Sequence, residues 1–241
     1  TNTEAPVEMN IWFPDHKALF MAENCVATLH NILTLRGAQV RDPLSWAECL
    51  DEARRLYGDE AEVVFTAHNW PRYGNDKVVE LLENQRDMYK YINDQTLHFM
   101  NKGYTMDEIA NMITLPKSLQ KYWYTHGFYG QIYMCVKATY QKYLGFYDAN
   151  PINLKRLPPE EFARNITEYM GGADAVLEKL AGDYDAGEYE LVATIASYLV
   201  FADPNNMEAR EMEAAALEQL GYQAESGPAR DSYLMAAQEL R

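Results

Sequence analysis

Short apolar runs mark the first third of the chain, and long amphipathic runs mark the rest. Residues 9–13 (MNIWF), bounded by Pro6 and Pro14, and residues 18–21 (ALFM) predict two short strands, with Asp15-His16-Lys17 as a tight turn between them. Residues 28–35 are helical or irregular until Arg36-Gly37 breaks the pattern. Asp42 then precedes Pro43, and Trp46, Leu50 and Ala53 recur at helical spacing, which predicts an amphipathic helix over 43–57 closed by Gly58. Residues 62–65 (EVVF) predict a further strand, and His68 follows it just before the stiff exit NWPRYG.

Beyond Gly74 the period changes from strand to helix. Asp76 is placed to cap a helical run that stops at Gly103, and Thr105 with Glu108 three residues on forms a capping box for the next helix. No strand signal returns. Residues 122–147 are rich in aromatics, which suits a junction between domains or subunits, and from Pro158 the pattern is helical to the end, with a last helix from Pro228 onward. Residues 183–222 resemble one helix–turn–helix unit of the tetratricopeptide kind, with Asp203-Pro204 opening its second helix. One such unit cannot bury its own face and must pack on neighbouring helices or a second subunit. The expected organisation is α/β over residues 1–85, followed by an all-α portion over 86–241.

Thirty-six Asp and Glu oppose twenty-one Lys and Arg, a formal charge of −15 that repels phosphate backbones and argues against a nucleic-acid partner. No apolar run approaches the roughly 20 residues of a membrane span. Cys25, Cys49 and Cys135 are odd in number and widely spaced, so they suggest neither a zinc knuckle nor a disulfide framework. The sequon Asn165-Ile166-Thr167 means nothing without secretion through a glycosylating compartment. The opening TNTEAPVEM starts in mid-pattern, as a fragment or processed product would.

The candidate chemistry lies at strand ends. Glu4, Glu23 and His68 each sit beside an inferred strand terminus, and strand-end loops on one edge of an α/β layer converge. Two carboxylates and an imidazole suit zinc, and a carboxylate can bridge two ions. Taken singly, each residue has an ordinary alternative: glutamates are mostly solvated, and a histidine at a strand tip is more often a hydrogen-bonded structural residue.

Three motifs change that balance. TEAPVEM, AENCVATLHNILTLRGAQVRD and AHNWPRYG resemble successive motifs of the alkyl sulfatases in the metallo-β-lactamase superfamily, and the likeness runs on through YGQIYMCVKATYQKYLGFYDANP to YLMAAQELR. The resemblance implies the C-terminal half of a metallo-β-lactamase αββα sandwich, then a helical dimerisation domain with its tetratricopeptide-like unit. It implies a site of two zinc ions, with Glu4 of TEAP as a ligand, Glu23 of AEN bridging both ions, and His68 of AHNWP on one of them. Arg36 of TLRG would face the substrate sulfate, with Asn31 of LHN nearby; a planar guanidinium can grip two sulfate oxygens at once. No catalytic acid or base is identified. The implied substrate is an alkyl sulfate such as dodecyl sulfate, the implied assembly a homodimer, and the implied setting leans towards periplasmic or secreted.

Arg41-Asp42 is better read as a charge pair capping the following helix, His30 as structural, His16 as a turn residue and His98 as a helix-surface one. A place near the substrate entrance is the less favoured reading of His126, and the aromatic segment 122–133 has two readings, core packing or an apolar wall for an alkyl chain. The His-x-His-x-Asp-His run that supplies most remaining ligands in the superfamily is not present. The expectation is therefore half a site: remaining ligands outside this chain, in a missing N-terminal half of the catalytic domain, and little activity for the chain alone. The rivals are a metallo-β-lactamase-fold hydrolase of another ester class and a non-catalytic helical dimerisation scaffold.

Overall fold

The computed structural model describes residues 3–241, and the chain is mostly helical with one small sheet. Strand β1 (Ile11–Phe13) pairs antiparallel with β2 (Ala18–Phe20) across a 3-10 turn at Pro14–His16, where Lys17 takes a left-handed φ of 47°. Helix α1 (Pro43–Tyr57) then crosses over to β3 (Val63–Phe65), which lies parallel to β2. The short β4 (Arg72–Tyr73) closes the sheet antiparallel to β3, giving the order β1-β2-β3-β4. β4 carries no alternating apolar pattern, and the sequence reading missed it.

Helix α1 starts where Asp42 accepts hydrogen bonds from the Leu44 and Ser45 amides at 3.0 and 3.2 Å, and Pro43 supplies the first-turn φ. Its buried face, Trp46 and Leu50 above all, packs on the long helix α2 (Asn75–Met100), where the rings of Trp46 and Tyr89 stack 4.7 Å apart. α2 begins two residues earlier than the sequence suggests: its cap is Gly74 at φ 97°, and Asp76 lies inside the first turn, favourable to the helix dipole but not a cap.

Helix α3 (Met106–Met112) has the expected capping box between Thr105 and Glu108. After the short α4 (Lys117–Gln120), α5 (Ile132–Leu144) packs on α2 and α3. Tyr124 and Cys135 are fully buried in this first core, whereas Trp123 and Phe128 are exposed.

Contacts divide the chain into two compact units, 1–148 and 149–241. Residue 85 lies within α2, whose buried face belongs to the first unit. The second unit holds α6 (Pro159–Tyr169), α7 (Ala173–Asp185), α8 (Tyr189–Ala202), α9 (Met207–Gln223) and α10 (Gly227–Leu240) around Val192, Ala196, Leu199 and Ala209. α9 is capped by Asn206, whose side chain accepts from the Ala209 amide at 3.0 Å, so Asp203-Pro204 lies in the preceding turn and does not open the helix. Close packing of α9 on α10 leaves no room at Gly221, where an added Cβ would meet Leu234 at 2.8 Å. No helix among the described residues is long and apolar enough to cross a membrane.

Candidate metal centre

Because β2 and β3 are parallel, their carboxyl ends lie side by side, and each releases a candidate ligand three residues on: Glu23 after Phe20, His68 after Phe65. Backbone bonds from Met21 to Phe65 (3.0 Å) and from Ala67 to Ala22 (2.8 Å) continue the ladder up to these residues. Beside each ligand the backbone turns left-handed, with Ala22 at φ 45° next to Glu23 and Asn69 at φ 68° next to His68. Asn tolerates that conformation; for an alanine it costs roughly 1–2 kcal/mol, strain of the kind that clusters at functional sites.

Glu23 stands between two imidazoles, with Oε1 3.3 Å from His68 Nε2 and Oε2 3.2 Å from His30 Nε2. Ligand atoms of Glu4, Glu23 and His30 all lie within 4.8 Å of one another. His68 is two-thirds exposed at the cavity mouth, whereas His30 is buried, its ring between Trp46 and Tyr129 at centroid distances of 5.4 and 5.0 Å and its amide donating to Tyr89 Oη at 3.1 Å. The segment carrying His30 is pressed against Gly130, where any Cβ would meet the His30 carbonyl group at 2.7 Å.

Glu4 is held by Arg41, which grips its carboxylate, donates from Nε to its carbonyl at 2.8 Å, and reaches both oxygens of Asn31, the backbone one at 2.9 Å. Arg41 is therefore not part of a helix-capping charge pair. Asp42 alone caps α1, and its other oxygen pairs with Lys142 at 2.7 Å.

Glu8 joins the cluster from the same N-terminal segment, accepting from the Thr3 hydroxyl at 3.2 Å. Burial, and then the neighbouring Glu4 carboxylate, push its acid up to about 7.

This donor set asks for a positive charge. Three carboxylates crowd one region, as the Glu8 shift shows. His30 also faces an acceptor from each ring nitrogen, the Asn31 carbonyl at 3.1 Å from Nδ1 and Glu23 at 3.2 Å from Nε2. A neutral imidazole has one N–H and can satisfy only one of them, and burial pulls its pKa below the usual histidine range, against the imidazolium that would satisfy both. A cation shared by Glu23 and its neighbours removes the conflict, with Nδ1–H donating to the Asn31 carbonyl in the manner of metal-site imidazoles. Carboxylate and imidazole together suit zinc.

A cavity of about 200 Å³ opens over the cluster, walled by Glu23, His30, His68, Asn69, Phe128 and Tyr129. Of the residues singled out from sequence, Glu4, Glu23, His68 and Asn31 come together here. Arg36 is exposed, does not line the cavity, and forms no ion pair among the described residues. His126 bonds the Gln120 carbonyl at 2.7 Å and does not line the cavity either. His16 lies in its turn and His98 is exposed on α2, as expected. Glu8, Arg41 and the close approach of His30 are what sequence reasoning missed.

The profile of the family described as "Alkyl sulfatase dimerisation" matches residues 105–241. The alkyl/aryl-sulfatase of Saccharomyces cerevisiae is 51% identical over 239 residues, 99% of this chain and 37% of that protein. A linear primary-alkylsulfatase of a Pseudomonas species is 52% identical, again over 99% of this chain and 36% of its own length. Among solved structures, the stereoselective inverting sec-alkylsulfatase of a Pseudomonas species superposes with a TM-score of 0.97 at 46% identity, over 99% of this chain and 38% of that one. The chain belongs to the alkyl sulfatase dimerisation family. It spans a little over a third of the length of these relatives.

Proposed function

We propose that the chain is part of a zinc-dependent alkyl sulfatase, which hydrolyses alkyl sulfate esters of the dodecyl sulfate kind to an alcohol and inorganic sulfate. The observation that carries this reading is the Glu23 carboxylate, shared at 3.2 and 3.3 Å between two imidazoles and backed by Glu4. When bound, zinc supplies Lewis acidity and lowers the pKa of water toward about 7. Glu23 would serve both ions as the shared carboxylate, Glu4 and His68 would each hold one, and Arg41 fixes Glu4 in place. His30, with Nδ1–H on the Asn31 carbonyl, would turn its bare Nε2 to the cation beside Glu23 from the buried side. Arg36, with Asn31 nearby, receives the sulfate, and its lack of an ion pair among the described residues leaves its guanidinium available to it. Phe128 and Tyr129 provide an apolar wall for the alkyl chain, each buried methylene adding roughly 0.8 kcal/mol.

Four donors cannot complete two four-coordinate ions, so the remaining ligands come from outside this chain, in the other half of an αββα metallo-β-lactamase sandwich. On this reading residues 1–85 are the C-terminal part of that sandwich, and residues 86–241 form a helical, tetratricopeptide-like domain that pairs two subunits. The chain alone is inactive. The test is sulfate release against phosphate release from matched decyl esters, by a longer protein containing this chain. Preference for the phosphate ester would move the reading to another ester class; absence of both activities in a zinc-loaded protein would leave a dimerisation scaffold.

A further inference from the structure

The second unit carries a groove of about 590 Å³ between the 3-10 turn at Pro151–Leu154, the first turns of α6 and the last turns of α8. That size falls within the range of sites for small ligands, roughly 300–1,000 Å³. Its walls are Ile152, Leu157, Phe162, Tyr198 and Phe201, with Phe162 and Tyr198 packed edge to face at 5.6 Å. Three of these remain strongly exposed, Ile152 at 74% and Leu157 and Phe201 at 49% each, so the groove is apolar and open. This unit has seventeen Asp and Glu against seven Lys and Arg, yet the groove lining contains Lys155 and Arg156 and no carboxylate. Arg156 donates only to the Asn153 amide oxygen, at 2.7 Å, and neither cation forms an ion pair among the described residues. Glu160 and Glu161, in the first turn of α6, complement that helix's dipole and do not line the groove.

An apolar trough with adjacent cations at its rim is complementary to a long tail ending in a negative head. We propose that this groove binds a single-chain anionic amphiphile, the tail along Phe162, Tyr198 and Phe201 and the sulfate or carboxylate head on Lys155 and Arg156. The site shares no residue with the metal cluster, and its test reads binding, not hydrolysis.

The experiment is photo-crosslinking of the whole 241-residue chain with a diazirine-tailed decanoate below its micelle concentration, mapped by mass spectrometry. Labelling is expected on the peptides bearing Phe162, Tyr198 and Phe201. Decanoate and decyl sulfate should both compete, separating the two head groups, while decanol should compete at least about tenfold less well. Each added methylene should strengthen competition about fourfold. The double substitution Lys155→Glu/Arg156→Glu should weaken labelling about tenfold or more, and Lys179→Glu, an exposed cation on α7, should leave it unchanged. Equal competition by decanol, or unchanged labelling in the double variant, overturns the proposal. So does a dimer whose groove peptides stay unlabelled until Phe201→Asp releases monomers, since a second copy would then be the occupant.

Discussion

Glu23 and His68 stand three residues beyond the ends of two parallel strands, and their side chains meet at 3.3 Å. Neither could reach the other without the parallel pairing of β2 with β3, which α1 makes possible by carrying the chain back over the sheet. The rest of the cluster is built around that meeting, and its separate supports are open to separate tests.

Arg41 and Arg36 should behave oppositely. Arg41→Ala leaves the largely buried Glu4 carboxylate and the Asn31 oxygens without their donor, and should cost about 3 kcal/mol in urea melts. Arg41→Lys keeps the charge but loses the fork, and should recover only part of that. Arg36→Ala should change stability by less than about 0.5 kcal/mol and, on the proposed function, raise KM for the sulfate ester in a longer protein containing this chain. Equal stability losses at the two positions would mean that Arg41 does not position Glu4.

Gly130→Ala tests the buried support of His30. A Cβ there meets backbone atoms of His30 and Asn31 at 2.7–2.9 Å, and no flexible side chain can yield. The expected loss is about 1–3 kcal/mol, together with weaker zinc binding. An unchanged melting temperature would show that the loop and the His30 segment are less tightly joined.

Asp42 carries a pH signature. Set against the cost of burial, its hydrogen bonds from Lys142 and the Ser45 amide hold the carboxyl below its ordinary value of 3.8. A folded pKa below the unfolded one gives stability that is full above the unfolded value and is lost as pH falls through the folded one. Acid melts should therefore show this loss below pH 3.8, and Asp42→Asn should flatten it while keeping most of the cap. A slope unchanged in Asp42→Asn would assign the acid sensitivity to other carboxylates.

Strand ends and helix caps were readable because they depend on neighbours in sequence. Val63–Phe65 followed by His68, Asp42 before Pro43, and Thr105 with Glu108 are all local patterns, and the structure bears out the Asp42 cap and the capping box. Arg41 could not be read this way, because its partners, Glu4 and Asn31, lie 37 and 10 residues away. The same holds for Glu8, whose shifted acidity comes from burial beside Glu4, and for His30, whose ring is placed by Trp46 and Tyr129. Cap positions misjudged at Asp76 and Asp203-Pro204 have a different cause: Gly74 and Asn206 offer better local geometry close by, and acidic residues near a helix start look alike in sequence.

The central claim is that Glu23 is the shared carboxylate of a zinc site. Its most direct test is zinc content, by elemental analysis, alongside dodecyl sulfate hydrolysis, in a longer protein containing this chain and in its Glu23→Gln variant. The account predicts two zinc ions per subunit in the former, with loss of metal and a fall in rate of more than about a hundredfold in the variant. Retention of both ions and of activity in Glu23→Gln would contradict it.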